Sequence, residues 1–165
     1  MNLYVLRHGM AAESSASGRD SERPLTPKGE RKLRQAAKAM EALKLPFDLI
    51  LSSPYLRARQ TAEVVAEAFD AQKRLEFSDT LKPNGSANEL VQLLRERVPA
   101  PGEVLLVGHE PYLSELIALL VTGGTTSTIV MKKGGLCKLS IESLKPGRCA
   151  ALEWLLTPKQ MKLMA

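Results

Sequence analysis

Three short runs of apolar residues, each ending in polar residues, set the framework of the chain. They lie at residues 2–6, 47–51 and 103–107. A continuous apolar run of this length, bounded by turn residues, is typical of a strand that is buried on both faces of a parallel sheet. We therefore predict three buried strands that deliver polar residues to their carboxyl ends.

Each of these strands is followed by a stretch with helical character. Thr26 and Pro27 mark a helix start, because threonine is a good N-cap and proline fits the first helical position. The apolar residues of this helix fall on one face: Leu33, Ala36, Met40 and Leu43. Further helices are predicted at about residues 55–69, 88–98 and 112–121. A strand followed by a helix is therefore the repeating unit.

The last third of the chain changes character. Residues 128–131 and 136–141 flank the sequence Lys-Lys-Gly-Gly, which predicts a β-hairpin, and residues 149–155 form one more predicted strand. An antiparallel edge on a parallel sheet accommodates these strands. The predicted fold class is therefore α/β, a three-layer α/β/α sandwich with a mostly parallel central sheet and an antiparallel edge, in a single domain spanning residues 1–165.

Composition is that of an ordinary globular protein, with 44% apolar and 25% charged residues and a net charge of +5 that favours an anionic partner. Aromatic residues make up 4% and the positive charge forms no obvious stripe, so we expect no nucleic-acid partner. Cys137 and Cys149 lack metal-ligand spacing and predict buried thiols in a reducing compartment. We find no signal peptide and no apolar run of membrane-spanning length, and therefore expect a cytoplasmic protein without a membrane partner.

The chain has two histidines, and each directly follows a predicted buried strand. His8 comes after the first of these strands and His109 after the third. Ligands of open α/β sheets bind beyond the carboxyl ends of the strands, so both side chains should reach one crevice. Arg7 and Arg57 stand at matching positions, and guanidinium groups hold phosphate oxygens while an unprotonated imidazole nitrogen attacks phosphorus. The residues predict phosphoryl transfer that requires neither a metal nor another cofactor.

Small residues beside this crevice are candidate substrate-binding positions. Gly9 allows the backbone to approach a ligand closely. Ser52 and Ser53 precede the second helix, which they are placed to cap, and the N–H groups at the start of that helix would face a phosphate. We count Gly9 and Ser53 among the predicted substrate-binding residues.

Three separated motifs resemble the histidine phosphatase superfamily, which has the phosphoglycerate-mutase-like fold. They are Leu6-Arg7-His8-Gly9, Ser52-Ser53-Pro54-Tyr55-Leu56-Arg57-Ala58-Arg59-Gln60-Thr61-Ala62 and Val107-Gly108-His109-Glu110-Pro111. The short length, the segment Arg23-Pro24-Leu25-Thr26-Pro27-Lys28-Gly29 and the ending Trp154-Leu155-Leu156-Thr157-Pro158 resemble the SixA-type branch of bacterial phosphohistidine phosphatases.

This resemblance implies roles for individual residues. His8 would be the nucleophile that becomes phosphohistidine. Arg7, Arg57 and His109 would bind the transferring phosphoryl group, and Arg23 would be a further contact on the substrate side. The implied fold agrees with the one predicted from the apolar pattern.

The general acid is the open position in this scheme. Many superfamily members supply a carboxylate from the segment after the second helix, and here the nearest one is Asp79. Glu110 follows His109 directly, although complementing a helix N-terminus explains it better. Glu13 lies in the loop after His8. A substrate phosphohistidine makes an acid less necessary, because its imidazole departs protonated near neutral pH.

We therefore expect a metal-independent phosphatase that works through a phosphohistidine on His8 and acts on phosphohistidine in a protein. The first alternative keeps this chemistry but takes a small phosphorylated metabolite, whose leaving alcohol needs an acid. A mutase is a further alternative, although mutases of this fold carry insertions for which the chain is short. A non-catalytic phosphoryl-binding adaptor, from a different class, would use the same pocket without turnover.

Overall fold

Strands and helices alternate along much of the chain in the computed structural model, which describes residues 1–126 and 128–165. The strands are β1 (Asn2–Arg7), β2 (Leu49–Ser52), β3 (Leu75–Phe77), β4 (Glu103–Gly108), β5 (Leu136–Ile141) and β6 (Ala150–Leu156). The α-helices are α1 (Pro27–Ala42), α2 (Leu56–Ala68), α3 (Ala87–Arg95), α4 (Tyr112–Thr122) and α5 (Pro158–Lys162).

The strands form one mixed sheet in the order β3-β2-β4-β1-β5-β6. β1 pairs with β4 in parallel, and β2 pairs in parallel with both β3 and β4. β5 runs antiparallel to β1 on one side and to β6 on the other. The prediction of a mostly parallel sheet with an antiparallel edge is therefore confirmed.

Helices cover both faces of this sheet. Met40 of α1 and Met161 of α5 share a buried cluster with Leu6 of β1. Ile117 of α4 lies in a second cluster, on the opposite face, with Val5 of β1. Successive residues of a strand point to opposite faces, so the apolar run of β1 supplies both layers of the core. The three-layer α/β/α arrangement is confirmed.

The start of α1 follows the predicted capping chemistry. The side chain of Thr26 accepts a hydrogen bond of 2.9 Å from the backbone N–H of Gly29, and Pro27 occupies the first helical position. The apolar face of α1 is buried except at Leu43, which is 40% exposed. Leu43 lies at the C-cap, where the chain leaves the helix and no longer follows its period.

The predicted hairpin between residues 128–131 and 136–141 is wrong. Residues 128–131 form no strand, and both edges of β5 are taken by β1 and β6. Gly134, in the left-handed region with φ 76°, instead donates its N–H to the carbonyl oxygens of Arg7 and His8, each at 3.0 Å. The Lys-Lys-Gly-Gly sequence therefore connects the segment before β5 to the C-terminal end of β1 by hydrogen bonds.

Two short elements, β3 and α5, were not predicted. Three and five residues, respectively, offer too few positions for a period to appear in the sequence. α5 is held at its start by Thr157 and Gln160, which form a reciprocal capping box, and by the burial of Met161. The C-terminal segment therefore packs against the domain as a helix.

Candidate active site

The parallel pairing of β1 and β4 brings the two histidines together. Arg7 pairs in register with Gly108, and the backbone N–H of His8 donates to the carbonyl of Gly108 at 3.0 Å. The ring centroids of His8 and His109 are 5.2 Å apart, and both side chains are buried. The crevice expected at the carboxyl ends of these strands therefore contains both histidines.

A single hydrogen bond defines the tautomer of His8. Its Nδ1 lies 2.7 Å from the carbonyl oxygen of Gly9, which only accepts, so Nδ1 carries the proton and Nε2 keeps a free lone pair. Burial lowers the pKa of His8 to about 4, and the bond to Gly9 only partly opposes this shift. Nearby positive charges act in the same direction as burial; they come from Arg57, Arg7 and Lys133. His8 is therefore neutral at neutral pH, with Nε2 unprotonated.

Gly9 is held in place by a residue that the sequence analysis did not single out, Thr61 of α2. The N–H of Gly9 donates to Oγ1 of Thr61 at 3.0 Å, and that hydroxyl donates to the carbonyl of Arg57 at 2.7 Å. A Cβ at Gly9 would lie 2.6 Å from Cδ1 of Leu33, so a side chain would have to displace α1 contacts. Gly9 thus packs closely against α1, and its carbonyl oxygen holds the ring of His8.

Two arginines from different elements flank the histidines. Nη1 of Arg7 donates to the carbonyl of Met131 at 2.7 Å. Arg57 is 5% exposed, and its guanidinium lies 5.3 Å from the ring centroid of Tyr55. In both arginines Nε is buried and has no hydrogen-bond partner among the described residues. Each guanidinium therefore keeps a donor uncommitted beside His8.

Asp20, which the sequence analysis did not single out, lies between Arg57 and the predicted substrate contact Arg23. Oδ2 of Asp20 is 3.1 Å from Nη2 of Arg57, Oδ1 is 2.8 Å from Nη1 of Arg23, and the Asp20 carbonyl accepts from Nη1 of Arg57 at 2.8 Å. The bond from Arg23, together with Arg57, lowers the pKa of Asp20. The sequence signal for this contact was that Asp20 stands three residues before Arg23 in a polar loop.

His109 is oriented by Ser53, whose hydroxyl lies 2.8 Å from Nε2. Ser53 Oγ accepts from the N–H of Tyr55 at 3.3 Å and still has a proton and a second lone pair, so the contact with Nε2 is compatible with either tautomer of His109. That Nδ1 is buried and has no partner among the described residues. Burial lowers the pKa of His109 to about 3, and His8 acts in the same direction. His109 is thus neutral at neutral pH, and its Nδ1 is uncommitted.

The expected cap of the second helix is wrong, because the N-cap of α2 is Tyr55 and no side chain caps it. The hydroxyl of Ser53 is directed at His109, and that of Ser52 donates to the carbonyl of Ser53 at 2.9 Å. Both serines are fully buried at the end of β2. The two hydroxyls therefore form hydrogen bonds at the end of β2 and do not cap α2.

The candidate acids lie in different surroundings. The side chain of Asp79 is 78% exposed and pairs with Lys82 at 2.9 Å, in a short 3₁₀ helix. Oε1 of Glu110 accepts from the N–H of Ser114 at 2.9 Å, so Glu110 satisfies a donor in the first turn of α4, as expected for an acid at a helix start. Glu13 is exposed. No described contact links Asp79 to either histidine.

The described residues contain neither a cluster of metal ligands nor a membrane-spanning helix. Across residues 1–126 and 128–165, no group of three or more histidine, cysteine, aspartate or glutamate side chains is arranged to hold a metal ion. Within the same residues, no helix combines the length and the apolar character that crossing a membrane requires.

Comparison with known families agrees with this geometry. The family described as the histidine phosphatase superfamily (branch 1) matches residues 3–82, the part that contains His8, Arg23 and Arg57. Together with a phosphohistidine phosphatase relative that is 33% identical over 73% of this chain, this match shows that the chain belongs to the histidine phosphatase superfamily. Its resemblance to that superfamily, and to the SixA-type branch, is therefore confirmed.

Particular relatives support a phosphatase. The chain is 33% identical over 131 residues to a phosphohistidine phosphatase SixA homolog of Haemophilus influenzae, covering 73% of this chain and 77% of the relative. It is 29% identical over 165 residues to phosphohistidine phosphatase SixA of Escherichia coli, covering 99% and 98%. A structure of the protein histidine phosphatase SixA complexed with tungstate superimposes with a TM-score of 0.85 at 27% identity, covering 96% of this chain and 98% of that one.

Proposed function

We propose that the protein is a metal-independent phosphatase that removes the phosphoryl group from phosphohistidine in a protein, through a phosphohistidine intermediate on His8. The observation that carries this proposal is the hydrogen bond from Nδ1 of His8 to the Gly9 carbonyl, beside two arginines and a second neutral histidine. It supports a nucleophile with a fixed tautomer, a free Nε2 lone pair and cations close by.

The reaction takes two displacements at phosphorus. In the first, Nε2 of His8 attacks, a P–N bond to His8 forms and the P–N bond to the substrate imidazole breaks. The departing ring keeps the electron pair of that bond and takes up a proton from solvent. In the second, water attacks phosphorus, the electron pair of the P–N bond returns to Nε2 and the water loses a proton to solvent. Inorganic phosphate and free His8 result.

Fixed positive charge and hydrogen-bond donors supply the catalytic stabilisation in this proposal. We assign Arg7 and Arg57 to the phosphoryl oxygens, because their buried Nε atoms lack partners among the described residues. We assign the ring proton of His109 to Nδ1, with Ser53 donating to Nε2, so that this unpartnered nitrogen is a third donor. Arg23 would meet the substrate from the loop side, where it already shares Asp20 with Arg57.

The phosphohistidine substrate is favoured by the surroundings of Asp79. An exposed carboxylate that pairs with Lys82 is a poor proton donor to a leaving alcohol, whereas an imidazole is basic enough to leave without a dedicated acid. Two relatives, phosphohistidine phosphatase SixA and a phosphohistidine phosphatase SixA homolog, favour the same substrate class. We accordingly propose a phosphorylated protein of the cytoplasm as the partner.

The test is phosphate release by purified, metal-free protein from a phosphohistidine-bearing histidine-phosphotransfer domain and, in parallel, from an aryl phosphate. We expect rapid release from the domain and none from His8→Ala. Arg57→Ala should lose about 10²–10³-fold in rate, because it removes transition-state charge stabilisation. Arg59→Ala is the matched control, since Arg59 lies on the same helix but is exposed and pairs with Glu63. Wild-type rates in His8→Ala would refute the mechanism.

The small-metabolite alternative is distinguished by Asp79→Ala. If the natural substrate is an alkyl phosphate and Asp79 protonates its leaving group, this variant loses most of its activity on that substrate. If the substrate is phosphohistidine, Asp79→Ala keeps nearly the wild-type rate of release from the phosphotransfer domain. Release from neither substrate would favour a non-catalytic adaptor.

A further inference from the structure

A groove with a basic lining runs between α1 and the C-terminal helix α5. It has a volume of about 330 Å³ and is lined by Lys32, Gln35, Pro158, Lys159 and Lys162; we call it the lysine groove. Met161, between its two α5 lysines, is fully buried against α1, which holds α5 in position. The groove is therefore a feature of the folded domain and not of a loose tail.

The lysine groove leads towards the active site. A narrow crevice next to it shares Lys32 and Pro158 and continues to Gly9 and Lys133. Gly9 accepts the hydrogen bond of His8, and the charge of Lys133 is close enough to lower the pKa of His8. A polypeptide whose phosphorylated side chain reached His8 would thus have the lysine groove alongside it.

The charge of this groove differs from that of the groove on the other side of α1. No carboxylate lines the lysine groove, its three lysines are exposed, and none of them forms an ion pair among the described residues. The neighbouring groove between α1 and α2 is lined by Glu30, Glu63 and Glu67 around Arg34, which pairs with Glu30 and Glu67. Positive charge is thus left unneutralised on the side that leads to Gly9.

We propose that the lysine groove is a docking surface for an acidic segment of the phosphorylated protein substrate. The docking proposal rests on the proposed function. It restricts the substrate to proteins that carry carboxylates near the phosphorylated residue. The lining consists of lysines, an amide and a proline, with no aromatic side chain on which nucleic-acid bases could stack. Charge complementarity of this kind speeds encounter and selects partners, and it weakens with salt.

Binding tests the proposal without relying on catalysis. Two short fluorescein-labelled peptides carry the same unphosphorylated histidine, one flanked by glutamates and the other by glutamines. Fluorescence anisotropy at low salt should show about tenfold tighter binding of the glutamate peptide to the wild type. The variant K32Q/K159Q/K162Q should lose this preference. The matched control K44Q/K73Q/K145Q changes the net charge equally at exposed lysines outside the groove and should keep it.

Turnover supplies the second measurement, with the same peptides chemically phosphorylated on histidine. The groove variant should lose about tenfold in kcat/KM on the glutamate peptide through KM, while its rates on the glutamine peptide and an aryl phosphate stay unchanged. Lys133 is left intact because it acts on His8.

Equal binding of the two peptides, an equal loss in the control variant, or tighter groove-dependent binding of a DNA duplex would overturn the docking proposal. Inactivity of the wild type on both phosphopeptides, with the binding preference intact, would count instead against the proposed function.

Discussion

The carboxylate of Asp20 contacts the guanidinium of Arg57, with Oδ2 of the aspartate 3.1 Å from Nη2 of the arginine. The two partners differ in exposure: the Arg57 side chain is 7% exposed and that of Asp20 is 56% exposed. Asp20 also reaches Arg23 through its other oxygen. An exposed carboxylate thus occupies two guanidinium groups that we assign to substrate binding.

We predict that Asp20→Asn tightens the binding of phosphate. The carboxylate side of this pair is exposed to water, which weakens the pair, so an incoming phosphoryl group displaces Asp20, and removing the carboxylate removes a competing anion. Inorganic phosphate should inhibit the variant at a concentration roughly threefold to tenfold lower than the wild type. The measurement is the inhibition constant of phosphate against an aryl phosphate substrate.

Glu22→Gln is the control for this prediction. A short 3₁₀ helix, Asp20–Glu22, contains both residues, but Glu22 pairs with Arg19 and not with Arg57. The inhibition constant of phosphate for Glu22→Gln should equal that for the wild type. Weaker inhibition by phosphate in Asp20→Asn would show instead that the carboxylate positions the two arginines for binding.

Ser53→Ala should lower kcat/KM by about tenfold, because the alanine removes the hydroxyl that orients His109 and leaves Nε2 without its hydrogen-bond partner. The loss should fall mainly on kcat, and Ser53→Thr, which retains a hydroxyl, should recover part of it. Ser52→Ala is the matched control, since Ser52 is equally buried but bonds to the backbone. An equal loss of activity in both variants would indicate a packing effect alone.

The two histidines should titrate far below the ordinary imidazole value of 6.5. Ring NMR signals are easily assigned in a chain with two histidines by comparison with His8→Ala. Burial sets the expected midpoints at a pKa of about 4 for His8 and about 3 for His109. A midpoint near 6.5 for His8 would contradict the description of its environment.

The same pKa shifts predict how stability depends on pH. The unfolded chain binds protons on both imidazoles at about pH 6.5, whereas the folded chain does so only near its lowered pKa values. Between about pH 6.5 and pH 4 the unfolded state therefore binds more protons than the folded state. The free energy of unfolding consequently falls as the pH decreases through this range. Urea unfolding of wild type and His8→Ala should show a smaller decrease in the variant.

Gly29→Ala should destabilise the protein by about 2–4 kcal/mol, because overpacking against backbone cannot relax by a rotamer change. A Cβ at Gly29 would lie 2.2 Å from the carbonyl oxygen of Met10, which follows the active-site Gly9. Gly124→Ala, whose Cβ would meet nothing closer than 4.0 Å, is the control. The measurement is the urea midpoint of unfolding of each variant. Equal midpoints would show that a Cβ at Gly29 does not clash with Met10.

Much of the fold follows from local sequence signals. The apolar runs of β1, β2 and β4 were each predicted to within two residues, since a buried strand is a property of consecutive positions. The start of α1 was predicted from Thr26 and Pro27, whose capping chemistry involves only near neighbours. The hairpin failed because the edges of β5 were already occupied, which depends on the order of the whole sheet.

The sequence by itself determined that two histidines and two arginines stand at strand ends and helix starts, because parallel strands bring their carboxyl ends to one edge. Only the tertiary structure decided what holds them. Ser53 and His109 are 56 residues apart, and Asp20 and Arg57 are 37 apart. The lysine groove likewise exists only because α5 packs on α1. Such contacts depend on the path of loops and the packing of helices, and no periodicity among neighbouring residues encodes them.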